Sequence, residues 1–161
     1  MTPNDVIASG YRMAKALLHR MTDDLTPDEF RHQPCAGANS AAWVVGHLAA
    51  TLHQTARRMG APGLPSIPAD FAGRFAKTGK PAEAQSEPGD PAEMLRILDA
   101  SLDAIIGGVR ALPAEKFDEP SSVFALAGTF GELLQFGSLH LSMHVGQLST
   151  IRRTLGKPPV V

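Results

Sequence analysis

The chain reads as an all-α four-helix bundle. Three observations predict it: apolar residues recur every three or four positions in four segments, a helix-start signal precedes each, and no useful length alternates with period two beyond Ser122 to Ala127. With 161 residues it fits a single domain, 1–161. That length buries about 70% of the unfolded surface, so folding needs neither disulfide nor structural metal, and a bound metal would serve function.

The elements follow in order. Thr2 is placed to cap a first helix with Pro3 at its first position, and Val6, Ile7, Met13, Ala14, Leu17, Leu18 and Met21 supply its apolar stripe. Leu25-Thr26-Pro27 can open one short turn, and Asn39 or Ser40 can cap a second helix from about Ala41 to Met59, which Gly60 ends. The connection over 60–90 carries five prolines, Pro62, Pro65, Pro68, Pro81 and Pro88, while Phe71 and Phe75 give it apolar side chains with which to dock as a lid. Asp90-Pro91-Ala92-Glu93 reads as a capping box opening a third helix to about Leu112. Thr129-Phe130-Gly131-Glu132 is another, opening a fourth helix that Gly156 and Pro158 close. The long second connection permits an up-down-down-up order.

Charge and cysteine content narrow the functional classes. Lys plus Arg number 15 against 16 for Asp plus Glu, so no general field draws nucleic acid or an anionic membrane. The longest apolar stretch, near Ala41 to Ala50, is interrupted by Gly46 and His47, and the amino end carries neither a basic stretch nor an apolar run. The expectation is neither signal peptide nor membrane span. Cys35 is the sole cysteine, which excludes an intrachain bridge and a Cys-rich zinc fold and makes a reducing, cytoplasmic setting the default.

The chemistry concentrates in the fourth helix. His140 and His144 are separated by ~400° of helical rotation, so their rings stack on one face about a turn apart, within reach of one metal ion. Leu133, Phe136, Gly137, Ile151 and Leu155 fall within about 60° of His140 on the wheel, so both rings are expected to point inward. Each buried imidazole must satisfy two nitrogens; carbonyls or hydroxyls could do so, and a divalent cation would serve both rings at once. A third donor is needed. His47 shares i, i+3, i+4, i+7 spacing with Val44, Leu48 and Thr51, and so faces the core of the second helix. Three neutral imidazoles leave a coordination position for water or substrate, as in catalytic rather than structural zinc.

These residues resemble a known family. Asn39-Ser40 with Trp43-Val-Val-Gly-His47-Leu48, followed by His140-x-x-x-His144-x-Gly146-Gln147-x-x-x-Ile151-Arg152-Arg153-x-Leu155-Gly156-Lys157-Pro158, is similar to the DinB/YfiT-like metalloprotein superfamily, which is unrelated to the DNA polymerase sharing the label. The resemblance spans the whole layout. It implies a four-helix bundle, often a homodimer, in which His47, His140 and His144 hold one divalent ion, usually zinc or nickel. Relatives of that kind include thiol S-transferases that use mycothiol, bacillithiol or glutathione, and a mycothiol-dependent maleylpyruvate isomerase. Fold alone does not choose among such activities.

The remaining candidates read as ordinary. His19 lies among charged residues, His53 is turned about 120° from His47, and His32 precedes a loop, so all three are expected at the surface and none as a ligand. His32-x-x-Cys35 lacks two further donors nearby, which leaves Cys35 an ordinary thiol. Gln147, within about 20° of His140, fits two roles equally: orienting a metal-bound water or ligand, or core hydrogen bonding. Arg57-Arg58 and Arg152-Arg153 occupy last turns, where positive charge offsets the helix dipole.

The leading expectation is therefore a metal-dependent S-transferase that takes a low-molecular-weight thiol and a small electrophile. Its alternatives are a hydrolase in which the ion activates water, and a non-catalytic bundle for dimerisation or sensing. No inward carboxylate is evident for a general base: Glu132 sits in a capping box, and Asp99 and Asp103 flank an apolar stripe, which ranks hydrolysis second.

Overall fold

The computed structural model describes residues 1–75 and 89–160. Four long helices dominate: α1 (Pro3–Thr22), α3 (Ala41–Arg58), α5 (Pro91–Ala111) and α6 (Phe130–Thr154), with α2 (Pro27–Arg31) and α4 (Phe71–Arg74) as short turns. α3 packs on α5, α5 on α1, α1 on α6 and α6 on α3, so the long helices close a ring around one core. No helix among the described residues is long and apolar enough to cross a membrane.

The helix starts follow the capping chemistry in the sequence. Thr2 with Asp5, Thr26 with Glu29 and Thr129 with Glu132 form reciprocal capping boxes, and Ser40 caps α3 by accepting from the Trp43 N–H at 3.2 Å. The expected box at Asp90 does not form, and an ordinary side-chain cap takes its place. Asp90 accepts from the Ala92 N–H, and no bond returns from Glu93 to the cap backbone. Gly60 and Gly156 adopt φ of 69° and 74° just beyond α3 and α6, the left-handed conformation that ends a helix at little cost for glycine.

Between α5 and α6 the chain forms a 3-10 turn (Ala114–Asp118) and a small antiparallel hairpin, β1 (Pro120–Phe124) with β2 (Ala127–Thr129). The hairpin occupies the segment whose alternation was the lone exception to helical patterning.

Two close approaches set the packing around the centre of the bundle. A Cβ on Gly137 would lie 2.0 Å from the Tyr11 hydroxyl. Glycine there lets Tyr11, fully buried, donate to the Leu134 carbonyl at 2.9 Å across the α1–α6 contact. Likewise a Cβ on Gly46 would lie 2.2 Å from the Phe75 ring, so Phe75 seats directly on the α3 backbone. Phe71 and Phe75 are 3% and 2% exposed, so the start of the long connection docks as its two aromatics suggested. Residues 76–88 of that connection, and with them the rest of the expected lid, lie outside the described residues.

The expectation that His53 lies at the surface is corrected, and Arg152 has a larger role than the helix dipole gives it. His53 is buried, because α3 is enclosed on nearly all sides: Ala41 to Ala50 are buried without a break, and His53 Nε2 lies 2.9 Å from the Pro65 carbonyl in the covering loop. Arg152 is also buried, and does more than face a helix dipole. It donates to the Met21 carbonyl and makes a two-pronged contact with Asp24, which holds the Asp24 carboxyl below its usual range and ties α6 to the end of α1. His19 and His32 lie at the surface, half-buried. His19 bonds Asp99 and Asp23, and His32 bonds Thr154 at 2.9 Å.

Candidate metal centre

His47 and His144 are each 5% exposed, on facing sides of the α3–α6 contact, while His140 is only half-buried. The wheel placed both α6 rings inward; the difference arises because the deepest stripe of α6 is Leu134, Leu141 and Leu148, all fully buried. The histidine sector lies at the edge of that stripe facing α3, and there His140 meets the surface.

The three rings converge through the same ring atom. His140 Nε2 lies 3.1 Å from His144 Nε2 and 3.4 Å from His47 Nε2, and one ligand nitrogen from each residue falls within 4.8 Å of the others. These separations match a shared ion. Two nitrogens at about 2.0–2.1 Å from one zinc stand about 3.4 Å apart at a tetrahedral angle and about 2.9 Å apart at a right angle.

Two of the rings are oriented by bonds on their far nitrogens. His47 Nδ1–H donates to the Phe75 carbonyl at 3.0 Å, and His144 Nδ1–H donates to Gln147 Oε1 at 2.9 Å. A carbonyl only accepts, so Nδ1 carries the proton in each ring and the Nε2 lone pair is directed at the centre. His140 Nε2 can carry at most one hydrogen between two such acceptors. Three nitrogens arranged in this way are a donor set for a cation, and the Phe75 carbonyl and Gln147 carboxamide are the outer partners that metal-ligating histidines require.

Aromatic rings wall the site. Trp43 stacks on His47 with centroids 4.8 Å apart and planes 5° from parallel, while Phe124 of β1 stacks on Phe136 at 4.0 Å, and Phe136 in turn on His140 at 5.8 Å. Among the described residues, the group able to hold an ion contains three imidazoles and no carboxylate.

The structure therefore brings together His47, His140 and His144, and leaves His19, His32, His53 and Cys35 elsewhere. Gln147 bonds the far ring nitrogen of His144, and it is exposed rather than part of the core. Sequence reasoning missed the Phe75 carbonyl, because a backbone acceptor leaves no side-chain signature. Gly46, immediately before His47, was the available signal of a close approach. Phe124 was missed because its place depends on the hairpin.

The family model of the DinB superfamily matches residues 11–148, a span that includes His47, His140, His144 and Gln147. No curated protein matches the chain.

Proposed function

The chain belongs to the DinB superfamily, and from that premise we propose that it is a metal-dependent enzyme that transfers a low-molecular-weight thiol to a small electrophile, with zinc or nickel held by His47, His140 and His144. One observation carries the proposal: three Nε2 atoms, at 3.1 and 3.4 Å from one another along two edges, converge from two helices. When bound, the ion supplies Lewis acidity that favours the thiolate form of a thiol.

The chain's own residues prepare the site. Phe75 and Gln147 fix the tautomers of His47 and His144 before anything binds, so no reorganisation of those rings is needed. Trp43 and Phe136 stack on one face of His47 and His140 and brace those rings. In the transfer itself, the thiol sulfur forms a bond to the electrophile, the leaving group departs with its electron pair, and the thiol proton passes to solvent. That sequence uses no carboxylate base, which fits the all-imidazole donor group better than hydrolysis does.

The test is turnover of an electrophile such as monochlorobimane by zinc-loaded protein, with and without mycothiol, bacillithiol or glutathione. Conjugation should require one of the thiols and vanish in His144→Ala. Turnover independent of thiol would replace transfer with hydrolysis, and loss of thiol or electrophile binding without any turnover in the parent would point to a sensing role.

A further inference from the structure

We propose that the cleft between the loop 34–39 and the carboxyl-terminal half of α6 binds an uncharged, hydroxyl- or amide-bearing part of a small molecule, and that Gln147 links that site to the histidine cluster. The inference deepens the proposed function by giving the substrate's recognition group a place, and it rests on that reading only for the word substrate.

The cleft encloses about 400 Å³, within the range of small-molecule sites. Pro34, Ala38 and Asn39 form one wall, with Gln147, Thr150 and Ile151 opposite. The loop wall is a fixed turn: Gly37 sits at φ 78°, and the Ala38 N–H donates to the Cys35 carbonyl at 3.1 Å.

Its lining selects against charge. Among the described residues no acidic or basic side chain lines the cleft, and His32 stands behind Thr154, 2.9 Å from its hydroxyl. A carboxylate or ammonium placed there would lose water without gaining a counter-charge, whereas hydroxyls and amides find their equals in Asn39, Gln147 and Thr150. Pro34 and Ala38 supply apolar surface for the carbon skeleton.

Gln147 is the connection. Its Oε1 accepts from His144 Nδ1 at 2.9 Å, while the same carboxamide lines the cleft. The planar amide directs its N–H groups away from that bond. A ligand oxygen accepting from them would polarise the carboxamide and strengthen its hold on His144.

Cys35, the sole cysteine, is exposed and lines the same cleft, so its alkylation by iodoacetamide reports occupancy. Three probes share a ring and differ in charge: methyl N-acetylglucosaminide is neutral, methyl glucosaminide cationic and methyl glucuronide anionic. The neutral glycoside should slow alkylation by about threefold at a concentration twice its Kd. The charged pair should leave the rate unchanged. Thr150→Trp, at an exposed position, should fill the cleft and abolish protection while zinc uptake stays at the parent level. No protection by the neutral glycoside, equal protection by a charged one, or protection persisting in Thr150→Trp would each overturn the proposal. Since none of these readouts uses turnover, protection without thiol transfer would leave the cleft standing and remove the catalytic reading.

Discussion

Two helix contacts in this molecule use histidine in opposite ways. Between α1 and α5, Lys15 and His19 face Asp99 and Asp103: His19 Nε2 lies 2.8 Å from Asp99, and the Lys15 ammonium 3.3 Å from Asp99 and 2.7 Å from Asp103. Each basic nitrogen there meets an oxygen. Between α3 and α6, ring nitrogens meet ring nitrogens at 3.1 and 3.4 Å, and carbonyl oxygens stand behind His47 and His144. A basic group facing an acid is complete as a structural contact, whereas bases facing one another, two of the three oriented from behind, could hold a cation. What faces the nitrogen decides its role, and burial alone does not, since His53 is as buried as His47 and His144.

The sharpest way to break that contrast is His144→Ala. It removes one of three donors, and zinc affinity measured against a chelating indicator should fall more than about 100-fold, beyond the effect of an outer partner. Gly46→Ala tests the support behind His47. Its Cβ would meet the Phe75 ring at 2.2 Å, so the variant should lose about 1–3 kcal/mol in denaturant unfolding and bind zinc more weakly, because the Phe75 carbonyl moves with the ring. Gln147→Leu removes the other outer partner. Zinc affinity should drop about 10-fold with the melting temperature nearly unchanged, since Gln147 is exposed.

The smallest effect belongs to the α1–α5 contact. Burial opposes the charged form of His19, but its bonds to Asp99 and Asp23 and their charges outweigh this and raise its pKa above the ordinary 6.5. A raised folded-state value means that the stabilisation is full below 6.5 and disappears as pH rises through the folded value. His19→Gln should therefore cost about 0.2–1 kcal/mol at pH 5.5, reduced by solvent screening, and nothing at pH 9. Urea unfolding at the two pH values checks the sign; an equal cost at both would mean that the contact is not ionic.

Much of the bundle was legible because its signals are local. Thr2 caps its helix where side-chain chemistry and spacing placed it, as does Thr129, Ser40 is the one of two candidates that caps α3, and the i, i+4 pair of α6 put two rings one turn apart before any tertiary contact was known. What escaped depends on chain segments distant in sequence. The wheel turned His53 away from His47, and its burial comes from a loop that brings the Pro65 carbonyl to its ring. Arg152 looked like a dipole residue because nothing near it in sequence announces Asp24 and Met21, at the far end of α1. The cap at Asp90 shows the limit of motif reading: the residue types permit a reciprocal box with Glu93, and Asp90 instead accepts from the Ala92 N–H.

The central claim is that the three imidazoles share one ion. Its most direct test is metal content by mass spectrometry on protein purified without a nickel column, followed by zinc titration. About one equivalent of a divalent metal per chain, lost in His144→Ala, is the predicted result. Absence of metal in the purified protein, together with zinc uptake no tighter than in His144→Ala, would contradict it.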